Sequence, residues 1–352
     1  MGGICSIVNK WKFTDFVTIR LGVEVGSVLV TGGAGYIGSH TVKALRTADH
    51  RVVVYDDLSA GHREAVKGVP LVEGDIRDTE LVKEVIREHR VTDVMHFAAL
   101  LSVGESIKEP ARYYDYNVGG ALSVMNAAVA EGIDRLVLSS TCAVYGNPVT
   151  TPITENHPKD PINAYGDSKL VVERALSYYG RAYGLHSISL RYFNAAGADP
   201  DGLIGEDHRP ETHLIPRAID AACGGLPLEI YGCDYQTKDG TCERDYVHVG
   251  DIAMGHVCAL EGLRSGALTR VYNLGTGRPH SVREVVGAVE KIVGRKVPTE
   301  LAPRRGADPS VLYASADQIG RELGWRPSYR SLEEIISTAW NWHKKNPDGF
   351  GD

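Results

Sequence analysis

Val28-Leu29-Val30 runs directly into Thr31-Gly32-Gly33-Ala34-Gly35-Tyr36-Ile37-Gly38, a short apolar stretch followed at once by glycines at every third position. Helical spacing then continues through Leu45. A three-residue apolar run cannot by itself be told from a piece of buried helix. The glycines and the helical pattern behind them decide for a buried strand, a tight turn and a helix. In such a unit Gly32 permits the turn, Gly35 lets backbone approach a bound pyrophosphate, and Gly38 lets helix pack closely on strand. The helix N-terminus adds free N–H donors and the positive end of its dipole.

The pattern G-x-x-G-x-x-G is a variant of the Rossmann fingerprint, and its second half is present. Val52-Val53-Val54 reads as the next strand and ends at Asp56, 18 residues after Gly38. A carboxylate there accepts hydrogen bonds from a ribose 2′-hydroxyl and repels a 2′-phosphate, so the implied cofactor is NAD rather than NADP. Asp57 competes for the role, but the strand-end position favours Asp56. Candidate cofactor residues are therefore Gly32, Gly35, Tyr36, Ile37, Gly38 and Asp56. Asp75-Ile76 and Phe97-Ala98-Ala99 join them, closing the third and fourth strands where ligands of doubly wound sheets sit. A helix-capping role for Asp75 is equally compatible with its position.

Further strands are predicted at Leu71-Val72, Val94 to Phe97, Leu136 to Leu138 and Ser187 to Leu190. Helices are predicted over Leu81 to His89, Ala111 to Glu131 and Tyr165 to Tyr183. Strands alternating with helices mean a parallel sheet buried on both faces. The fold class is thus α/β, a Rossmann-type doubly wound sheet over residues 27–194. A smaller substrate-binding lobe is expected over 195–352, with segments returning to the first domain. Texture changes after Asn194, where Gly, Pro, Asp and His are dense to Pro216 and signals stay irregular through Gly240.

A formal charge of -7 gives no basic field for nucleic acid or an anionic membrane. No apolar run is long enough to span a bilayer. The six cysteines contain no C-x-x-C pair and read as reduced, which points to the cytoplasm. The 13 histidines show no ligand spacing; His208 and His213 read as part of a polar loop, and no metal is expected. Residues 1–26 read as a disordered extension. Met1-Gly2-Gly3-Ile4-Cys5-Ser6 matches a short myristoylation pattern with Cys5 placed for a second acyl chain.

Tyr165-Gly166-Asp167-Ser168-Lys169 sets a tyrosine and a lysine one helical turn apart. A free tyrosine titrates near pH 10, so acting as a base near neutrality demands a downward shift worth about 4 kcal/mol. Lys169 supplies one positive charge, and an oxidised nicotinamide ring would supply a second. Ser139-Ser140-Thr141, the last of them 24 residues before Tyr165, ends a strand, where a hydroxyl can enter the same cleft. With the glycine loop these form a Ser/Thr–Tyr–Lys triad of the short-chain dehydrogenase type.

On these residues the chain resembles the UDP-glucose 4-epimerases among the extended short-chain dehydrogenases. Val103-Gly104-Glu105-Ser106, Val144-Tyr145-Gly146, Leu190-Arg191-Tyr192-Phe193-Asn194, Arg244 to Val249, Tyr272 to Gly275 and Pro303-Arg304-Arg305 extend the likeness from about Ser27 to the C-terminus. The resemblance implies that Tyr165 exchanges a proton with the sugar O4, Thr141 hydrogen-bonds that oxygen, and Lys169 binds the nicotinamide ribose. Phe193 would touch the cofactor. Asn194, His213, Leu214, Tyr231, Arg244, Arg305 and Asp308 would hold the UDP part, and Leu312 would line the sugar pocket. It also implies a homodimer joined through helices at Ala111–Glu131 and Tyr165–Tyr183; the apolar residues Leu122, Met125, Val129 and Leu170 suit that contact and equally suit packing on the sheet. Leu101, Tyr116 and His213 depart from well-known bacterial members, which carry lysine, asparagine and asparagine there.

Three alternatives compete. A nucleotide-sugar dehydratase would need an Asp-Glu pair after Thr141, where Cys142-Ala143 stand. A 4-epimerase of UDP-N-acetylglucosamine or a UDP-pentose would share all the chemistry at C4. A non-catalytic NAD-binding sensor would typically have lost the tyrosine or lysine, and both are present.

Overall fold

The computed structural model describes residues 26–306 and 309–351. The acylation pattern at Gly2 and Cys5 lies outside these residues, as does Asp308. Chain order runs β1 (Ser27–Thr31), α1 (Tyr36–Thr47), β2 (Arg51–Asp56), β3 (Leu71–Glu73), α2 (Thr79–Glu88), β4 (Val91–His96), α3 (Val103–Lys108), α4 (Pro110–Tyr113), α5 (Gly120–Ala130), β5 (Arg135–Thr141), α6 (Ala164–Tyr183) and β6 (His186–Tyr192). Then come β7 (Asn194–Ala196), α7 (Leu214–Ala222), β8 (Leu228–Tyr231), β9 (Glu243–His248), α8 (Val249–Arg264), β10 (Arg270–Leu274), β11 (Pro279–Ser281), α9 (Val282–Val293), β12 (Thr299–Ala302), β13 (Val311–Leu312), α10 (Asp317–Glu322) and α11 (Leu332–Lys345).

Seven strands form one parallel sheet in the order β10-β6-β5-β4-β1-β2-β3. Its two faces explain why β1 reads as an unbroken apolar run. Val28 and Val30 pack into the layer that holds Val42, Leu45 and Ile252 from α1 and α8. Leu29 points the other way, among Val82, Met125 and Val172 from α2, α5 and α6. All three are fully buried, as strands covered on both sides must be. The chain leaves β3 and returns at β4 on the far side of β1. The order therefore reverses between β1 and β4, and the glycine loop and Phe97-Ala98-Ala99 emerge side by side there.

The expected long helix over Ala111–Glu131 is interrupted. α4 passes through a π-helical stretch, Tyr114–Gly119, before α5 begins. The wider turn swings Asn117 inward, where its side chain accepts from Leu100 N at 2.8 Å and donates to Leu100 O at 3.0 Å and Ser168 Oγ at 3.1 Å. Insertions of this kind concentrate at functional sites; this one clasps the end of β4 to the helix carrying Tyr165 and Lys169. The apolar face offered for dimerisation is also spent inside the chain. Met125 and Leu170 are buried, and Leu122 and Val129 pack on the same inner layer as Met125.

After Asn194, β7, β9, β11 and β13 make a small mixed sheet and β8 pairs with β12. α7, α9 and α11 pack over it around Ile219, Val289 and Ile336. β10 leaves this lobe and pairs with β6 as the edge of the large sheet.

Candidate active site

The glycine loop is shaped by close approach. Gly32 has φ +69°, and a Cβ there would lie 2.4 Å from Ala98 N. A Cβ on Gly38 would lie 2.1 Å from Gly32 O, so the first turn of α1 can seat against β1 only without a side chain. A Cβ on Gly35 would make only an ordinary van der Waals contact, 3.5 Å from Gly32 O. α1 has neither a capping side chain nor an acidic residue in its first turn. Its N–H groups and dipole therefore remain available to an anion. Tyr36 donates to Gly197 O at 2.6 Å and ties this loop to the second lobe. Ile37 packs on the apolar layer below, and Ile76 is buried on the opposite side of the sheet.

Asp56 is buried at the end of β2 and accepts from Ala34 N and Leu58 N, both at 2.9 Å. Burial raises its pKa, partly offset by those two amides. Asp57 lies beside it. Burial acts upward there too, but hydrogen bonds from Ser59 and Tyr116 prevail and hold the carboxylate below its usual range. Tyr116 thus has a definite partner, Asp57, at 2.5 Å. Asp75 does not cap a helix: Asp78 caps α2 by accepting from Leu81 N, while Asp75 is held by Arg77 at 2.5 Å. The Phe97 ring lies tilted by 38° against His256 with centroids 4.5 Å apart, and Leu101 is exposed.

Thr141 closes β5, and its Oγ1 accepts from Ala143 N at 3.1 Å. α6 starts at the Asn163 cap, so Tyr165 and Lys169 face the end of β5 from its first turns. Thr141 hydrogen-bonds the Tyr165 hydroxyl and lowers its pKa, but burial dominates and carries it to about 12. Lys169 is buried, donates to Ser139 O at 3.0 Å, and is lowered by desolvation to about 8. The lysine charge expected to activate Tyr165 is therefore not among the leading influences on it. Its ammonium is aimed at a strand carbonyl, and the protein alone keeps the phenol protonated. Tyr192 hydrogen-bonds Ser139, and Phe193 packs with Val144, Leu170 and Leu312 behind Thr141.

The lobe supplies the remaining candidates. Asn194 pairs with β9 through β7, and Arg244 on β9 lies in register with Leu312 on β13. Arg244 also acts electrostatically on the buried Cys142 thiol, next to Thr141. The Arg305 guanidinium lies 3.9 Å over the Tyr231 ring, so those two form a unit. Arg304 instead pairs with Asp234 at 2.6 Å and covers Tyr235. His213 precedes α7, whose first residue is Leu214, and its imidazole turns to Glu206 at 2.8 Å and Glu211 at 3.0 Å.

Two clusters escaped the sequence reading. Ser140, Glu173 and Arg191 form a buried hydrogen-bonded group directly behind Thr141 and Lys169. Glu173 follows Tyr165 and Lys169 at the same four-residue step, a spacing that places it on their helix face. Glu206, His208, Glu211 and His213, read as a polar loop, bring four ligand atoms within 4.8 Å of one another.

Residues 28–275 match the model of the NAD dependent epimerase/dehydratase family. The UDP-glucose 4-epimerase of Rhizobium leguminosarum bv. trifolii is 50% identical over 321 residues, covering 91% of this chain and 98% of the relative. The crystal structure of UDP-glucose 4-epimerase from Brucella ovis in complex with NAD superposes with a TM-score of 0.88 at 48% identity, covering 90% and 97% of the two chains. That of the Bifidobacterium longum enzyme in complex with NAD+ and UDP gives 0.87 at 37%, covering 92% and 100%.

Proposed function

The chain belongs to the NAD-dependent epimerase/dehydratase family, and on that premise we propose that it interconverts UDP-glucose and UDP-galactose by transient oxidation at C4 of the sugar. The observation that carries this reading is the meeting of the Tyr165 hydroxyl, Thr141 and Lys169 at the end of β5, beside the glycine loop. The bare backbone at Gly35, the uncapped α1 and the Asp56 carboxylate suit NAD. Held by these groups, NAD would supply reversible hydride chemistry at the sugar C4, out and back, and none would be consumed.

Thr141 holds the sugar O4 by a hydrogen bond and Tyr165 takes, then returns, its proton. Lys169 orients the ribose hydroxyls next to Tyr165. Lowering of the Tyr165 pKa from about 12 then falls to positive charge brought into the cleft. Asn194, Leu214 and the Tyr231–Arg305 pair hold the uridine end, and Arg244 clamps phosphate oxygen. His213 serves this end through its place at the start of α7. The test is incubation of purified protein with UDP-glucose and no added cofactor, followed by NMR. UDP-galactose should appear; its absence from NAD-loaded protein would refute the reading.

Asp56→Ala should loosen NAD by tenfold or more, at about 1.4 kcal/mol per decade, with little change in UDP binding. Equal weakening of both, measured by calorimetry, would remove Asp56 from the ribose site. Leu312, packed with Phe193 and Val144, leaves more room near the sugar than an aromatic ring. Leu312→Tyr should therefore cut turnover of UDP-N-acetylglucosamine far more than that of UDP-glucose, within the roughly 1–3 kcal/mol that apolar size differences confer. Equal loss on both substrates would place Leu312 outside the pocket.

The enzyme acts in the cytoplasm as a homodimer. Tyr178 and Tyr183 are exposed on the outer face of α6, and Ile107 is exposed on α3. These residues, rather than Met125 and Leu170, supply the dimer contact. Light scattering at micromolar concentration should give twice the 38.2 kDa chain mass; a monomer would exclude the pairing.

A further inference from the structure

We propose that Glu206, His208, Glu211 and His213 form a binding site for a divalent transition-metal ion of the zinc class. The four side chains come from one eight-residue stretch, and their ligand atoms all lie within 4.8 Å of one another. Glu206 and Glu211 are mostly buried, at 7% and 22% side-chain exposure, and His208 stands at 16%. Two carboxylates neutralise a dication, and two imidazoles with two carboxylates make a borderline donor set. Zinc, cobalt and manganese accept such a set, whereas magnesium and calcium seek six or more oxygens.

The spacing supports a tetrahedron. Metal–ligand bonds of about 2.0–2.1 Å imply ligand–ligand edges of roughly 3.3–3.4 Å. His208 Nδ1 lies 3.4 Å from Glu206 Oε1 and 3.6 Å from Glu211 Oε2. Those separations suit an edge, and they are long for hydrogen bonds. His208 Nδ1 is indeed buried and makes no hydrogen bond of ordinary geometry. It is a polar atom enclosed at ion-pair distance from two carboxylates. His213 Nδ1 sits closer, at 2.8 and 3.0 Å, and would move outward by roughly half an ångström to reach the same edge.

Glu211 Oε1 accepts from Thr212 N at 2.6 Å and His213 N at 2.7 Å, and contacts from outside the cluster brace the rest of the stretch. Trp342 Nε1 donates to Glu206 O at 3.3 Å, Arg209 to Asp348 O at 3.0 Å, and Phe350 N to Asp207 at 2.9 Å. The donors are therefore held together by the backbone and the C-terminal segment, as a preformed site requires. A cavity lined by Gly197, Glu211, Ile219, Trp342 and Gly349 opens on the cluster and gives an ion its path from solvent. On the inner side His208 meets the Tyr36 ring edge-on at 6.2 Å. An ion here would join the glycine loop, through Tyr36, to the start of α7.

The test uses the full chain, stripped with EDTA and titrated with Co²⁺. One equivalent should bind and give the visible d–d bands of a four-coordinate site, displaced by Zn²⁺, with a rise in Tm. His208→Gln and Glu211→Gln should weaken uptake by at least the roughly tenfold that losing even an outer-shell partner costs. His343→Gln, on the same cavity but outside the cluster, should leave it unchanged. Circular dichroism checks that each variant is folded. Failure of the folded wild type to take up one equivalent would identify the cluster as an ion-paired knot and overturn the proposal. Stoichiometric uptake that survives in His208→Gln and Glu211→Gln would overturn it equally.

Discussion

Tyr165→Phe is expected to lower epimerase turnover by about 10²- to 10⁴-fold, the usual contribution of a placed proton-transfer group. The fold should be nearly untouched. The ring is retained, and among the leading influences on the lost hydroxyl only Thr141 is a hydrogen-bond partner, a loss of about 1 kcal/mol. Retention of NAD should also be unchanged, because Asp56, the glycine loop and Lys169 remain in place. Burial holds the phenol at about 12, so no other tyrosine can substitute cheaply. Tyr192 is nearby, but it is raised further still and is committed to Ser139. Turnover measured by NMR on NAD-loaded protein decides the matter. A variant keeping more than about a tenth of wild-type turnover would remove Tyr165 from the proton transfer.

The parts of this site that could be read from sequence are those whose chemistry tolerates few substitutes over a short span. Gly32 and Gly38 have no room for a Cβ, and both constraints fall within one strand–turn–helix unit. Tyr165 and Lys169 share a helix face, so their four-residue step already fixes their neighbourhood. β9 shows the opposite case. Its first residues, Glu243-Arg244-Asp245-Tyr246, are mostly polar, yet they form a strand in which Asp245 is fully buried. Backbone N–H groups of Thr276, Gly277 and Ala314 converge on that carboxylate from distant segments, and no local pattern announces them. The π-helical turn at Tyr114–Gly119 is likewise set by what Asn117 reaches, Leu100 and Ser168. The Glu206–His213 stretch has neither helical nor strand spacing, because its path is fixed by contacts with Trp342, Asp348 and Phe350. Even where the residues were legible their electrostatics were not. Lys169 looked like the group that lowers the Tyr165 pKa, and only the fold shows its ammonium turned to Ser139 O.

The second large effect is expected at the buried pair behind the triad. Arg191 donates to Glu173 at 2.9 and 2.5 Å and to the Tyr145 hydroxyl at 2.9 Å, while Ser140 donates to Glu173 at 2.5 Å. The two charged side chains are only 4% and 5% exposed. Removing one of them strands the other in a low-dielectric interior. Arg191→Met should therefore lower stability by about 3–5 kcal/mol, seen as a fall in the urea midpoint at unchanged slope. Much of that cost is the unpaired Glu173 carboxylate rather than the attraction lost. The double variant Arg191→Met with Glu173→Leu removes both charges and should recover a large share. Activity should follow the same order, since Ser140 precedes Thr141 and Glu173 lies one turn beyond Lys169 on α6. A single variant within about 1 kcal/mol of wild type would show that water, or Lys159, which lies within electrostatic reach of Glu173 and Arg191, takes over the carboxylate. A double variant no more stable than Arg191→Met would show that the pair contributes packing rather than charge compensation.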